Sequence, residues 1–370
     1  MKKSLVAICL LFILNSAYGQ IFQDTIPFNH DLGIIVIPIS FNGKVKQFAF
    51  DTGAQVTVAY GWAKDELKAT RKTITINSSS NRKSRMRYYK SGLIELGSRK
   101  IRKHKVLNTP KNEFFSCHNI DGILGVDIMK ELNWTIDYEK KILIMYPPSY
   151  FPDKVEKMSK LNFYFTNNKP WVYLDRKGSI FKFLLDTGAA GSINISSKEY
   201  NLTNLNELPQ LTSYSGTFDV NGIFTDFKST IFKFPQSISG EVYLSPIVVY
   251  DDARSTKIGN KLWKGKELFL SLKKNKLYVS ESLVDQVYSG YTASFMFYKG
   301  KMQISGIDVG SEAWNIGIRA GDEIERVNGN SFMDFCSLDK YRRAYASKNQ
   351  SFELEFSNGK KVTISKKKGI

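Results

Sequence analysis

Sulphur and imidazole are scarce in this 370-residue chain, which holds three cysteines and three histidines. His30, His104 and His118 are too few and too scattered to build a zinc site, and no H-E-x-x-H or paired C-x-x-C occurs. No metal and no cofactor is therefore expected. Cys9 falls inside an N-terminal apolar run, which leaves Cys117 and Cys336, assigned to different domains, so a disulfide framework is not expected either. The adjacent Cys117-His118 would suggest a thiol nucleophile. Neighbours on a strand point to opposite faces, however, and Cys117 is read as structural. Long apolar runs are also missing: none nears the about 20 residues that span a bilayer, so no transmembrane anchor is expected.

The N-terminus has the pattern of a removable leader. Lys2 and Lys3 precede the apolar residues 5–14, and Ala17-Tyr18-Gly19 has the small-x-small form of a secretory cleavage site. Residues 1–19 are expected to be lost on export to a periplasmic or extracellular location. Acidic side chains are the minority, 35 against 53 basic, for a net charge of +18. Residues 1–19 carry two lysines and no acid, so the remainder carries +16. That charge would suit anionic surfaces or acidic substrates. The lysines are dispersed and form no basic and aromatic module, so no nucleic-acid partner is expected. Lys366-Lys367-Lys368 reads as a solvated tail.

What is present is a repeat. Asp51-Thr52-Gly53-Ala54 recurs as Asp186-Thr187-Gly188-Ala189, each after an apolar run, Phe48-Ala49-Phe50 and Phe183-Leu184-Leu185. Each aspartate would leave a buried strand into a glycine turn. A second glycine segment follows at matched distance: Gly122-Ile123-Leu124-Gly125-Val126-Asp127 begins 71 residues after Asp51, and Gly259 of Lys257-Ile258-Gly259-Asn260-Lys261-Leu262-Trp263 lies 73 after Asp186. Each half ends in a strand pair around a basic turn. A duplicated β-rich unit of roughly 130 residues accounts for the pattern.

Two equivalent carboxylates suggest a chemistry. Carboxyl groups about 3 Å apart cannot both ionise and so share a proton. One can then deprotonate a water while the other protonates a carbonyl, which hydrolyses a peptide without metal or covalent nucleophile. Thr52 and Thr187 would turn inward to bond the opposite half's backbone and fix the separation of the pair. Gly53 and Gly188 would let a backbone N–H approach a carboxylate.

On these motifs the chain resembles the pepsin and retropepsin superfamily of aspartic proteases over about residues 30–280. Its lobe length and the alanine after each glycine are closer to the bacterial retropepsin-like enzymes. The resemblance implies a mainly β fold of two pseudo-symmetric acid-protease-type β-barrel lobes, residues 20–150 and 151–284. It makes Asp51 and Asp186 the catalytic pair, supported by Thr52, Gly53, Thr187 and Gly188, in an endopeptidase that acts on peptides or proteins as a monomer. Flaps are expected at Thr73–Ile76 with Met86–Tyr89, around an Asn77–Arg85 tip, and around an Asn221-Gly222 turn. Arg82, Lys83, Arg85 and Arg87 read as a solvated loop ahead of an acidic-substrate selector. Without hydroxyls at Ala54 and Ala189 the pair should keep its proton to higher pH.

Residues 285–370 break the repeat. Gly317-Ile318-Arg319-Ala320-Gly321-Asp322-Glu323-Ile324, running into Asn328-Gly329, resembles the bacterial PDZ signature, and a helix is expected over about 337–347. That resemblance implies a small PDZ-like α/β domain in which Gly290, Tyr291, Thr292 and Ala293 offer N–H groups to a C-terminal peptide, or else one that packs on the lobes. The alternative for the whole chain is a catalytically silent peptide-binding scaffold with the same cleft.

Overall fold

A computed structural model describes residues 23–77, 83–202, 207–219, 222–252 and 255–368. The expected leader, residues 78–82 of the expected Asn77–Arg85 tip, and Asn221 lie outside the described residues, whereas Asn77 and Lys83–Arg85 belong to the paired arms rather than to a tip. The fold is mainly β, with short helices at the joints.

The repeat in the sequence is a repeat of strand pairing. In the first half Gly122–Leu124 lies parallel to Lys44–Phe50, Leu124 opposite Phe50, and antiparallel to Val58–Tyr60. In the second, Lys257–Ile258 lies parallel to Ser179–Leu185, Ile258 opposite Leu185, and antiparallel to Ile193–Ser196. The register makes Gly125, rather than Gly122, the counterpart of Gly259: each begins the short helix after its strand. Phe48–Phe50 and Gly122–Leu124 are buried throughout, on both faces of the sheet, which is why the first half reads there as continuous apolar runs.

Each half also carries a long hairpin. Lys68–Asn77 pairs with Lys83–Lys90, placing Ile74 opposite Met86 and Thr75 opposite Arg85. Gln210–Asp219 pairs with Gly222–Lys233. Gly222 there stands opposite Asp219, so it belongs to the ladder rather than to the turn expected at Asn221-Gly222.

A six-stranded sheet joins the halves. Asn133–Asp137 and Glu267–Ser271, one from each half, pair antiparallel at its centre with Thr135 opposite Phe269. The fully buried Trp134 and Trp263 belong to the apolar core shared by both halves. Trp134 meets Phe50 edge-on at 5.0 Å, anchoring the strand that leads to Asp51. Buried aromatic pairs of this kind add to the stabilisation from area alone.

Residues 289–368 form a further β-rich unit with its own core, including Phe295, Ile304, Ile318, Leu338, Phe352 and Leu354. Its long helix is Phe335–Ala346, capped by Asp334, whose side chain accepts from the Ser337 N–H at 2.9 Å. Asn328 and Gly329 both adopt positive φ, 49° and 74°, as a tight hairpin turn requires. Lys366, Lys367 and Lys368 are a correction: they lie in strand Lys361–Lys368, paired with Ser289–Tyr291, and Lys366 Nζ donates to the Ala346 carbonyl at 2.9 Å.

This unit is docked on both halves. Helix Glu113–Cys117 of the first half meets Phe335–Ala346, with Phe114 and Phe335 rings 6.2 Å apart and His118 Nε2 3.0 Å from Asp339 Oδ2. From the second half, Ser213 and Tyr214 pair with Asp308 and Ile307, and Tyr214 stacks on Trp314 at 5.7 Å.

Candidate active site

Asp51 and Asp186 each follow the last residue of a buried strand. The Asp51 N–H donates to Leu124 O at 3.0 Å and the Asp186 N–H to Ile258 O at 2.8 Å, so the later glycine segment fixes both starting points. Between them the threonines lock reciprocally. Thr52 Oγ1 donates to Leu185 O and Thr187 Oγ1 to Phe50 O, both at 2.6 Å. Each hydroxyl also accepts the other threonine's backbone N–H at 3.0 Å. Four buried bonds tie two turns 135 residues apart in sequence.

The glycines show how close the turns come. A Cβ on Gly188 would sit 2.4 Å from Asp51 Cγ, and one on Gly53 would sit 2.8 Å from Asp186 Cγ. Each glycine therefore faces the opposite carboxylate, a separation that no larger residue permits. Their N–H groups point at their own aspartates: Gly53 N to Asp51 Oδ1 at 2.8 Å, Gly188 N to Asp186 Oδ1 at 3.0 Å.

The carboxyl groups interact directly. Asp51 is driven up to about 8, first by burial, then by the charge of Asp186 and a hydrogen bond to it, against the opposing pull of Lys257 and the Gly53 N–H. This is the direction expected from Ala54, and the causes at hand are enclosure and a like charge. Ala54 itself donates its backbone N–H to Asp51 Oδ1 at 3.2 Å.

Three supporting residues had no role assigned from sequence. Lys257 Nζ lies 2.9 Å from Asp186 Oδ2. Asp127 accepts from the Thr57 hydroxyl at 2.7 Å and sits 3.0 Å from His104 Nε2, and Thr57 Oγ1 accepts the Gly125 N–H, which braces the first turn. Asn260 does so in the second half, donating from Nδ2 to Thr187 O at 2.6 Å and Gly33 O at 3.0 Å. The later glycine segments offered the only signal, since Asp127 lies two residues after Gly125 and Asn260 one after Gly259.

Residues 37–128 match the family model for aspartyl proteases. That span holds Asp51, its turn and the Gly122–Leu124 strand, and stops before Asp186. No curated protein matches the chain. The match supports peptidase activity, and the mainly β architecture is consistent with an aspartic protease fold.

Other expected sites are placed as follows. Gly290 and Tyr291 lie in a strand paired with Lys367 and Lys366, and the Thr292 N–H donates to Ser365 O at 3.0 Å, so backbone groups of that loop are engaged by the chain itself. Ala293 is buried opposite Ile307. Lys83, Arg85 and Arg87 are exposed, alternating with buried Met86. Cys117 ends a helix rather than lying on a strand, and Cys336 packs against the apolar cluster it belongs to. The two cysteines do lie in different units, as expected, but those units are packed together. An open hollow of about 440 Å³ bordered by Lys160, Asn162, Tyr164 and Glu241 shares no residue with the dyad. Among the described residues no group of three or more His, Cys, Asp or Glu is placed to hold a metal.

Proposed function

We propose that the chain is an exported aspartic endopeptidase whose Asp51/Asp186 dyad activates water, within two pseudo-symmetric lobes followed by a PDZ-like unit. The observation that carries it is the reciprocal Thr52/Thr187 lock, with each glycine facing the other turn's carboxylate. Nothing in strand packing alone requires this arrangement. It holds two acids close enough to share a proton, the state in which one carboxylate accepts from water and the other donates to a peptide carbonyl.

The hairpin of the first half suits an extended apolar substrate. Ile74, Ile76, Met86 and Tyr88 share an apolar cluster with Ile34, Val36 and Ile123, the last of these beside the dyad strand. Arg85 and Arg87 face away from that cluster, which favours apolar contacts over acidic selection. Both aspartates come from one chain, so a monomer suffices. The PDZ-like unit is read as docked on both lobes, its own strand occupying the loop that would otherwise bind a C-terminus.

Separate Asp51→Asn and Asp186→Asn substitutions test the function. Either should lower kcat on a peptide pool by about 10³-fold or more, as expected when a general acid or base is removed with its electrostatic contribution. Folding should persist by circular dichroism. Unchanged hydrolysis in either variant would defeat the mechanism, and retained peptide binding without cleavage in the unmodified protein would favour the silent scaffold.

A further inference from the structure

We propose that Lys257 is a third member of the dyad, a positioning residue that keeps Asp186 ionised and leaves the shared proton on Asp51. This deepens the proteolytic reading and rests on it. Lys257 Nζ is 2.9 Å from Asp186 Oδ2, and the two side chains keep only 14% and 10% of their surface. Among the described residues no cation forms an ion pair with Asp51: its Oδ1 is met by the Gly53 and Ala54 N–H groups. The two halves are alike in backbone, so this asymmetry is a matter of side chains.

The fold does not require a lysine there. Its counterpart in the register is Ile123, opposite Ala49 where Lys257 is opposite Leu184, and Ile123 is buried in an apolar cluster. Taking an ammonium out of water is costly unless it is paired. A lysine in place of isoleucine therefore points to a charge-dependent role. With one proton between the carboxyls, Asp51, Asp186 and Lys257 sum to zero charge; without the lysine the enclosed site would carry −1. The groups acting electrostatically on Asp51 are Asp186 and Lys257. Nearby Asp127 is held by Thr57 and His104, and Lys261 and Lys264 are exposed to solvent.

The resulting step balances. Asp186 takes a proton from water as the water oxygen bonds the carbonyl carbon; the carbonyl π pair moves to oxygen, which takes the Asp51 proton. In the diol that follows, Asp51 recovers a hydroxyl proton, Asp186 gives its proton to nitrogen, and the C–N bond breaks. Asp186 ends charged and Asp51 protonated, as they began.

Lys257→Met, which imitates the apolar Ile123, and Lys257→Arg test this. Removing the cation makes ionisation harder, so the acid limb of the kcat/KM profile should rise by about 1–3 pH units in Lys257→Met and return toward wild type in Lys257→Arg. A second readout does not need activity: NMR of protein carrying ¹³C at aspartate Cγ, with the two Asn variants assigning the signals. At about pH 6 the Asp186 signal should be that of a carboxylate in wild type and should shift toward the acid form in Lys257→Met. An Asp186 titration unmoved by Lys257→Met overturns the proposal. Cleavage that survives Asp51→Asn overturns the protease reading instead, and the NMR comparison still judges Lys257.

A different observation carries a second proposal: we infer that Cys117 and Cys336 are a disulfide site joining the first half to the C-terminal unit. Cys336 packs against the apolar cluster that contains the buried Cys117. The two cysteines lie between two other contacts of the same helices, the Phe114–Phe335 ring pair and the His118–Asp339 bond. Asp339 is also held within its own helix by Arg342 at 2.7 Å and Arg343 at 2.6 Å, which fixes the carboxylate that meets His118. Cys117 is buried and Cys336 half-buried, which makes Cys336 the entry point. A small-molecule disulfide exchanges with Cys336, releasing one thiol; Cys117 sulphur then attacks the Cys336 sulphur and releases the second.

Folded full-length chain incubated with oxidised glutathione should yield a Cys117–Cys336 peptide pair by non-reducing mass spectrometry. Its unfolding midpoint should rise by roughly 5 °C, a rise absent in Cys117→Ser and Cys336→Ser. Thiols that both remain alkylatable, or glutathione left on Cys336, would overturn it.

Discussion

The two halves share a backbone plan and differ in what they place around it. Parallel strand, antiparallel partner, glycine and short helix recur in register. Beside that plan the first half has Ile123 and the Asp127–His104–Thr57 brace, and the second has Lys257 and Asn260. Duplicated strand pairing fixes where two carboxylates meet, because ladder geometry is set by backbone. The side chains then set the surroundings of each carboxylate apart, with Lys257 beside Asp186 only.

The glycines give the hardest way to break the symmetry. Gly188→Ala would drive a Cβ to 2.4 Å from Asp51 Cγ, Gly53→Ala to 2.8 Å from Asp186 Cγ. Activity should fall by about 10³-fold in Gly188→Ala, since displacing a catalytic group by an ångström costs at least 10²-fold, and less in Gly53→Ala. Peptide-pool kinetics on both variants would show whether the order holds.

The threonine lock should instead behave symmetrically. Thr52→Val and Thr187→Val each strand a buried carbonyl and a buried N–H, a cost of about 2–4 kcal/mol of stability. Urea midpoints that differ markedly between them would mean the lock is not reciprocal in energy.

A smaller effect sharpens the comparison through pH. Burial, with the charge of and hydrogen bond to Asp186, raises Asp51 from 3.8 to about 8 in the folded state. A raised carboxyl binds its proton more tightly when folded, so its contribution is fully present below about pH 4 and is lost as pH rises through about 8. Wild type should therefore lose stability relative to Asp51→Asn across that interval. A constant difference between the two denaturation curves would contradict it.

Much of this was legible in the chain. The doubled D-T-G-A after apolar runs located both turns, because a strand ending in a glycine turn is encoded within a few residues. The hairpin arms at Thr73–Ile76 and Met86–Tyr89 and the Asn328-Gly329 turn followed from local pattern in the same way. The Gly122 alignment slipped by three residues because glycine spacing cannot reveal which one begins the helix. Lys366 to Lys368 looked like a tail because their charge hides a strand paired at its backbone.

By itself the sequence determined the repeat, the paired acids and their turns, and the change of character after residue 285, all short-range patterns of size, polarity and backbone freedom. Only the tertiary structure decided that Lys257 reaches Asp186, that Cys117 and Cys336 join one apolar cluster, and that the C-terminal unit rests on both halves. A long side chain can point many ways, and helices more than 200 residues apart in sequence become neighbours only when separate cores pack. No local pattern carries that information.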